Sequence, residues 1–203
     1  MLLSNGYPRQ NDILAYSRST YKILHNYKLS IENCCECNLG NTRNKFVFGS
    51  GDPNAGLLLI GEGPGEEEDI QGEPFVGRAG KLLDKILKAI GYNRRDKVFI
   101  TNIVKCRPPE NRDPLPSEIG TCSPYLIQQI NLIKPKIIVA LGKVAGKTLI
   151  KKDIMLKEMR NKTYEFNSIP LRVTYHPAAL IRNPSLKKDT WDDFKYIRDF
   201  LSS

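Results

Sequence analysis

The sequence predicts an α/β protein of three layers, in which helices cover both faces of a central four-stranded parallel sheet. Short continuous apolar runs, typical of strands buried on both faces, lie at 57–60, 98–100 and 137–141, and a more alternating fourth run lies at 171–175. Segments with helical periodicity separate these runs. The 203 residues, 40% of them hydrophobic and 26% charged, are enough for a single domain over 1–203.

Each intervening segment has the pattern of a helix. Residues 8–33 are polar and weakly periodic, which predicts an N-terminal helix and makes 1–30 a helical extension. Apolar residues recur at spacings of three and four over 82–90 and 126–133, and Gly91 is a suitable C-terminal cap for the first segment. A last helix starts near 183–189. Strands that alternate with helices imply right-handed crossovers, and ligands bind at the carboxyl ends of such strands.

The chain is basic. Its 31 Lys and Arg outnumber 22 Asp and Glu, which gives a formal net charge of +9 and favours a polyanionic partner. No run approaches the roughly 18 apolar residues that span a bilayer, and the first residues lack the basic and then apolar plan of a secretory signal. We therefore expect a cytoplasmic protein that does not bind membranes.

Four of the five cysteines form two pairs. Cys34 and Cys37 have C-x2-C spacing, and Cys106 and Cys122 lie far along the chain. Two ligands from a tight turn and two from elsewhere can complete a thiolate site for zinc or for an iron-sulfur cluster. The alternative is four separate core cysteines. Cys35 is the odd one, and a shared site would connect the N-terminal segment to the domain body, which favours a structural role.

Two glycine-rich segments resemble phosphate loops without satisfying either motif. Residues 61–69, GEGPGEEED, follow the first strand, but carboxylates repel phosphate and the spacing fits no dinucleotide or Walker pattern. A turn followed by an acidic helix start is the competing interpretation. Residues 142–148, GKVAGKT, have three residues between the glycines where a Walker loop has four, so we interpret them as a strand-to-helix turn.

Three further segments carry polar or aromatic residues close to strand ends. Phe75 lies between turn formers in 72–80, Asn102 ends the second strand, and His176 follows the fourth. Taken singly, each has an ordinary explanation as a core phenylalanine, a turn asparagine or a capping histidine. Taken together, they form a candidate site at the carboxyl edge of the sheet.

The motifs GEGPGEEED, GEPFVGRAG, TNIVKCRPPENRDP and HPAALIRNP, at 61–69, 72–80, 101–114 and 176–184, resemble those of the family 4 uracil-DNA glycosylases, the thermophile and archaeal type. The resemblance runs from about Cys34 to the last helix. It implies a four-stranded parallel-sheet fold, removal of uracil from DNA, and a [4Fe-4S] cluster held by Cys34, Cys37, Cys106 and Cys122. It also implies that the 61–69 loop positions the attacking water and touches the base.

The resemblance assigns roles to the site residues. Phe75 would stack on a uracil flipped out of the duplex, and Asn102 would accept from uracil N3–H and donate to O4, provided that a further contact fixes its amide. His176 would donate to uracil O2 as the base departs. Glu62 would hold water, and Glu68 would crowd a thymine methyl. Gly63 stands where family 1 enzymes have a water-activating Asp, which leaves the general base open.

The DNA contacts are expected around the same loops. Leu180 would wedge into the gap left by the flipped base, with core packing as the alternative. Cationic side chains would hold phosphates: Lys105, Arg107, Arg112, Arg182, Lys187 and Lys188. The expected protein is a monomer that acts on single- or double-stranded DNA, with a replication clamp as a further partner. The competing classes are a nucleic-acid-binding module with a structural metal and no chemistry, and an NTPase.

Overall fold

A computed structural model describes residues 10–203, with side chains from residue 19 onward. Its sheet runs in the order β1-β3-β2-β4-β6-β5. The strands are β1 (Ser50–Gly51), β2 (Leu57–Gly61), β3 (Val98–Asn102), β4 (Ile137–Leu141), β5 (Tyr164–Phe166) and β6 (Ile169–Thr174). The four central strands are parallel, as predicted. The two edge strands pair antiparallel, so within residues 10–203 the sheet has six strands and the expected total of four is wrong.

The described helices include all those that the periodic segments predict. They are α1 (Gln10–Ile31), α2 (Leu39–Thr42), α3 (Glu66–Gln71), α4 (Arg78–Ala89), α5 (Pro116–Ile133), α6 (Lys143–Ile150), α7 (Leu156–Met159), α8 (Pro177–Arg182) and α9 (Leu186–Ser202). The predicted helices over 82–90, over 126–133 and at the carboxyl end are α4, α5 and α9. The N-terminal helix is confirmed from Gln10 onward, and residues 1–9 of the predicted extension lie outside the described residues. Between residues 10 and 203, no helix is long and apolar enough to cross a membrane.

The two faces of the sheet bury separate apolar cores. Alternate residues of β2 point to opposite faces, because successive strand side chains alternate. Leu58 and Ile60 pack in one core with buried side chains of α1, α5 and α6. Leu57 and Leu59 pack in the other with those of α4 and α9. This division produces the predicted three layers.

Parallel pairing brings the carboxyl ends of the central strands to one edge. Gly61 of β2 is in register with Asn102 of β3, and Leu141 of β4 is in register with Thr174 of β6. The loops that follow these strands therefore meet at the same edge. The segment at 142–148 is a strand-to-helix turn, as interpreted: Gly142 has φ +99° and α6 begins at the next residue.

Candidate active site

A pocket of about 540 Å³ opens at this carboxyl edge, a volume typical of small-ligand sites. All four central strands contribute to its lining through their last residues or the loops that follow. Eight of the residues selected from the sequence line the pocket together: Glu62, Gly63, Glu68, Phe75, Asn102, Arg112, His176 and Arg182. The constellation predicted from separate strand ends is thus one site.

Asn102 presents an unused acceptor to this pocket. Its side chain is 1% exposed, and Oδ1 has no hydrogen-bond partner among the described residues. A buried polar atom left unpaired costs about 1–3 kcal/mol, so such an atom in a pocket is suited to a ligand donor. The contact that we expected to fix the amide is absent from the described part of the chain. Lys105 instead bonds the backbone carbonyl of Asn102, at 2.7 Å.

Lys105 does not reach the surface. Its side chain is 0% exposed, and its ammonium group also donates to Thr101 Oγ1 at 2.7 Å. Thr101 in turn donates to the carbonyl of Phe48, which also accepts from Gln129. Burial lowers the pKa of Lys105 to about 8. The expected phosphate contact of Lys105 is therefore wrong. This ammonium group instead stabilises the end of β3 through its hydrogen bonds to Thr101 and Asn102.

Phe75 has a strained backbone that its neighbours hold in place. Its φ is +55°, in the left-handed region that non-glycine residues rarely adopt, and its side chain is 5% exposed. The guanidinium of Arg94 donates to the carbonyls of Phe75 and Pro74, at 2.9 and 3.3 Å. The Phe75 ring lies 5.3 Å from the His176 ring, centroid to centroid. The aromatic wall of the pocket is thus fixed before any ligand binds.

Two glycines make room for this arrangement. A Cβ at Gly61 would collide with Asn102 Oδ1 and would lie 2.8 Å from the Phe75 ring. A Cβ at Gly80, in α4, would collide with the carbonyl of Phe75. Sequence reasoning selected neither glycine, because both requirements come from contacts between separate segments.

His176 is a neutral donor. It is the N-cap of α8, and its Nδ1 accepts from the backbone N–H of Ala178 at 3.2 Å, so the ring proton belongs on Nε2. Burial lowers the His176 pKa to about 4, with a smaller contribution from the positive charge of Arg182 and opposition from Glu68. The imidazole is therefore uncharged at neutral pH. The sequence alone had left its protonation open.

The end of β6 that carries His176 is held by a buried polar network. Thr174 donates to Asp193 Oδ2 at 2.5 Å, and the same oxygen accepts from Arg160 Nε at 2.9 Å. The Arg160 guanidinium also covers the ring of Tyr175, with its Cζ 4.6 Å from the centroid. These contacts connect the start of the His176 loop to α9.

The carboxyl group of Glu62 has a pKa close to neutral pH. Burial raises its pKa to about 7, and the negative charge of Asp113 adds to the shift. Asp113 also lines the pocket, which adds to Glu62 and Glu68 a third carboxylate that sequence reasoning missed. The available signal was an acidic residue in the proline-rich segment 107–116, close in sequence to Asn102.

Glu68 joins two loops. Its carboxylate accepts from three backbone N–H groups: Gly65 at 3.2 Å, Val76 at 2.9 Å and Gly77 at 3.0 Å. The acidic segment forms α3, so the competing interpretation of a helix start is confirmed for its local structure. Glu68 thereby fastens the glycine-rich loop to the Phe75 loop. Its role towards a thymine methyl stays a prediction.

The predicted DNA contacts have different positions. Arg182 is exposed at the pocket rim. Arg107 bonds Asn111 through Nε at 2.9 Å, and Arg112 forms a two-bond ion pair with Glu118. Leu180 is 2% exposed within α8, so the structure favours core packing over the wedge for this residue.

The four paired cysteines occupy one region of the α1–α5 side. Cys106 and Cys122 are buried, Cys34 and Cys37 are half-buried against the same core, and Cys35 is exposed. Burial raises the pKa of Cys106 and Cys122, and nearby cysteines add to both shifts. Arg43 donates to Cys106 Sγ and Tyr125 donates to Cys34 Sγ, both at 3.2 Å. Within residues 10–203, no three acidic, His or Cys side chains converge on a single metal ion.

Comparison with known proteins decides the family. A profile of the uracil DNA glycosylase superfamily matches residues 48–199. A type-4 uracil-DNA glycosylase of Sulfurisphaera tokodaii is 46% identical over 184 residues, which cover 87% of this chain and 84% of the relative. This chain belongs to the type-4 uracil-DNA glycosylase family. Type-4 relatives from Saccharolobus solfataricus and Archaeoglobus fulgidus are 45% and 41% identical, over 85% and 82% of this chain and 84% and 87% of their own lengths.

The family assignment agrees with the geometry of the pocket. The superfamily match spans all four parallel strands and the helices α3 to α8. Every pocket residue predicted from the sequence lies within the matched region, from Glu62 to Arg182. Cys34 and Cys37 precede it, while the longer alignments to the type-4 relatives cover more of the chain.

Proposed function

We propose that this chain is a DNA repair enzyme that hydrolyses the N-glycosidic bond of uracil in DNA and leaves an abasic site. The observation that carries the proposal is the pairing of Asn102 and His176 across one pocket. Asn102 offers an unpartnered buried acceptor, and His176 offers a neutral N–H donor. Uracil has the complementary groups, an N3–H donor and two carbonyl acceptors.

The target nucleotide must leave the duplex to reach this pocket, at a cost of a few kcal/mol. Stacking of the flipped base on Phe75 offsets part of this cost, and Arg94 keeps that ring in position. Asn102 Oδ1 accepts from uracil N3–H. In the amide orientation of this structure, cytosine would leave the Asn102 oxygen unpaired because its N3 is an acceptor, at a cost of about 1–3 kcal/mol.

Bond cleavage develops negative charge on the base and positive charge on the sugar. The Nε2–H of His176 donates to uracil O2 and stabilises the departing anion, and a donor of this kind is typically worth about 2.7–4 kcal/mol. In its ionised form, Glu62 accepts a proton from the attacking water and stabilises the sugar cation. Because His176 is neutral and its Nδ1 accepts a hydrogen bond, its single ring proton lies on Nε2. This proton is available to donate to the base at the pH where Glu62 ionises.

We also propose that Cys34, Cys37, Cys106 and Cys122 hold a [4Fe-4S] cluster. The donor set fits: four thiols occupy one region, two of them with sulfur atoms that accept hydrogen bonds from Arg43 and Tyr125. A four-iron cluster separates its thiolate ligands more widely than one ion does, which is compatible with the absence of a single-ion site from the described residues. When bound, the cluster supplies a cross-link between the segment after α1 and the domain body.

The activity is tested with a uracil-containing oligonucleotide followed by alkali. We expect strand cleavage at the uracil, on single- or double-stranded DNA, and no cleavage of the matched thymine oligonucleotide. Binding without cleavage by iron-loaded protein would instead identify a non-catalytic nucleic-acid-binding module.

The proposed recognition of uracil by Asn102 is tested with Asn102→Asp. This change should add cytosine excision, because a carboxylate accepts from the cytosine amino group. The matched control is Asn111→Asp, which places the same charge at the pocket rim away from the strand end and should keep uracil specificity. Cytosine excision by both variants, or by neither, would contradict the assignment of Asn102.

A further inference from the structure

A second concave surface lies beside the active-site pocket. It is a groove of about 350 Å³ between α4 and the α8–α9 segment, and it is lined by Arg78, Lys81, Leu82, Lys85, Leu180, Ile181, Pro184 and Lys187. Four of these eight residues are exposed cations and none is acidic. None of the four forms an ion pair with a described residue, although other surface cations of the protein do. We call this surface the α4 groove.

The cations of the α4 groove share one face of a helix. Arg78, Lys81 and Lys85 follow one another at spacings of three and four along α4, so they form a row. Lys187, in the first turn of α9, faces them across the groove. The buried Leu180 forms part of the floor between them. A row of unpaired cations over an apolar floor accommodates an extended anionic chain better than a compact anion.

Helix α8 separates the α4 groove from the active-site pocket. Ala178, Ala179 and Arg182 line the pocket, while Leu180, Ile181 and Pro184 line the groove. The start of α4 is divided in the same way, with Ala79 on the pocket and Arg78 on the groove. The width of a helix with its side chains is about 10 Å, the length of about three nucleotide steps along DNA.

We propose that the α4 groove binds the sugar-phosphate backbone of the DNA a few nucleotides from the flipped uracil. The inference rests on the proposed function for the position of the DNA, and it adds a contact surface on α4 that the sequence motifs do not indicate. Arg182 lines the pocket and its sequence neighbour Ile181 lines the groove, so the groove adjoins the site where the DNA must bind, which favours DNA over an acidic protein segment. Phosphate contacts of this kind position the duplex and carry no base preference.

The test is the salt dependence of DNA binding by Lys81→Gln/Lys85→Gln. Glutamine keeps the helix propensity of lysine and removes its charge. The matched control is Lys134→Gln/Lys136→Gln, which removes two exposed, unpaired lysines just before β4, at the opposite edge of the sheet. For the groove variant, we expect the slope of log affinity against log salt to fall by about 2, and binding to weaken equally on uracil-containing and undamaged duplexes. The control should keep the wild-type slope.

The proposal would be overturned if the groove variant had the same DNA affinity and the same salt-dependence slope as the control. An acidic protein would then be the next occupant of the groove to test. Single-turnover excision at saturating enzyme separates this failure from that of the proposed function. The groove variant should then release uracil at the wild-type rate, because it changes no group in the pocket. If the wild type releases no uracil, the proposed function fails while the binding measurement still tests the groove.

Discussion

At the scale of single residues, we expect Glu62 to set the pH dependence of the reaction. Because its pKa is raised to about 7, the carboxylate becomes available as pH rises through neutrality, while His176, with a pKa of about 4, stays neutral. We expect single-turnover excision to show an acid limb near pH 7 and no break from His176 between pH 5 and 9. Glu62→Gln should lower the rate about 10²–10⁴-fold, the usual contribution of a general base, and abolish the limb. A limb that persists in Glu62→Gln would rule out Glu62 as its source.

The same residue carries a stability prediction. The pKa of Glu62 is higher in the folded protein than its ordinary value of 4.5, so its contribution to stability is full below pH 4.5 and is lost as pH rises through 7. Glu62→Gln removes this loss. Above pH 7 the free energy of unfolding of the variant should exceed that of the wild type by about 1–2 kcal/mol. This range is reduced to allow for the partial solvent exposure of the carboxyl group. Below pH 4.5 the difference should vanish in denaturant unfolding curves.

His176 supplies a second residue-scale prediction. Its neutral Nε2–H is the donor that we propose for the departing base, so His176→Ala should lower the excision rate about 10²–10³-fold, by analogy with removal of one oxyanion-hole donor. Binding of uracil-containing DNA should change much less than the rate, because the interaction strengthens as charge develops. An equal loss of binding and rate would mean that His176 acts as a wall of the pocket and not as a donor.

At the scale of elements, Gly80 lets the Phe75 loop approach the first turn of α4 closely. Gly80→Ala places a Cβ against the Phe75 carbonyl, so the loop and the Phe75 ring must move. We expect a loss of stability of about 1–3 kcal/mol, as for other overpacked sites, and a loss of uracil excision. The matched control is Gly120→Ala in α5, where a Cβ meets no atom within 4 Å and the expected effect is a gain of about 0.5–1 kcal/mol. Thermal unfolding of both variants measures the contrast, and full activity in Gly80→Ala would refute the assignment.

The elements predicted from the sequence are specified by residues within the element itself, whereas the features that were missed depend on short segments or on contacts with distant parts of the chain. The parallel strands and α4 have continuous or periodic apolar patterns, so the residues themselves specify burial. The edge strands β1 and β5 have two and three residues, too few for any periodicity to be visible. The burial of Lys105 was missed because its partners, Thr101 and the carbonyl of Asn102, become available only when the chain after β3 folds back.

The site follows the same division. Asn102 and His176 were found because they end predicted parallel strands, and parallel strands must share an edge. Asp113 and Arg94 were missed because each reaches the pocket or its wall from a loop whose path depends on tertiary packing. The loss of the wedge interpretation for Leu180 has a similar origin, since only the packing around α8 decides whether that side chain is free.

At the scale of the whole molecule, the proposed cluster would connect segments that are distant in sequence. Cys34 and Cys37 follow α1, Cys106 follows β3, and Cys122 lies within α5, so a cluster held by all four would close long loops between them. Cross-links of this kind stabilise chiefly by restricting the unfolded chain, and the gain rises slowly with loop length. We therefore expect the proposed cluster to affect stability more than the chemistry of the pocket, which lies at the carboxyl edge of the sheet.

Cys122→Ser tests this role against Cys35→Ser, a matched change at the exposed cysteine. We expect Cys122→Ser to lose its iron and the brown colour of the cluster. Its free energy of unfolding should fall by at least about 2 kcal/mol, and protease should cut it between α1 and α2. Cys35→Ser should keep its iron, its unfolding midpoint and its resistance to protease. Iron and inorganic sulfide analysis, visible absorption and limited proteolysis measure these outcomes. A colourless wild-type protein that contains zinc would contradict the cluster, and equal iron loss in both variants would bring Cys35 into the ligand set.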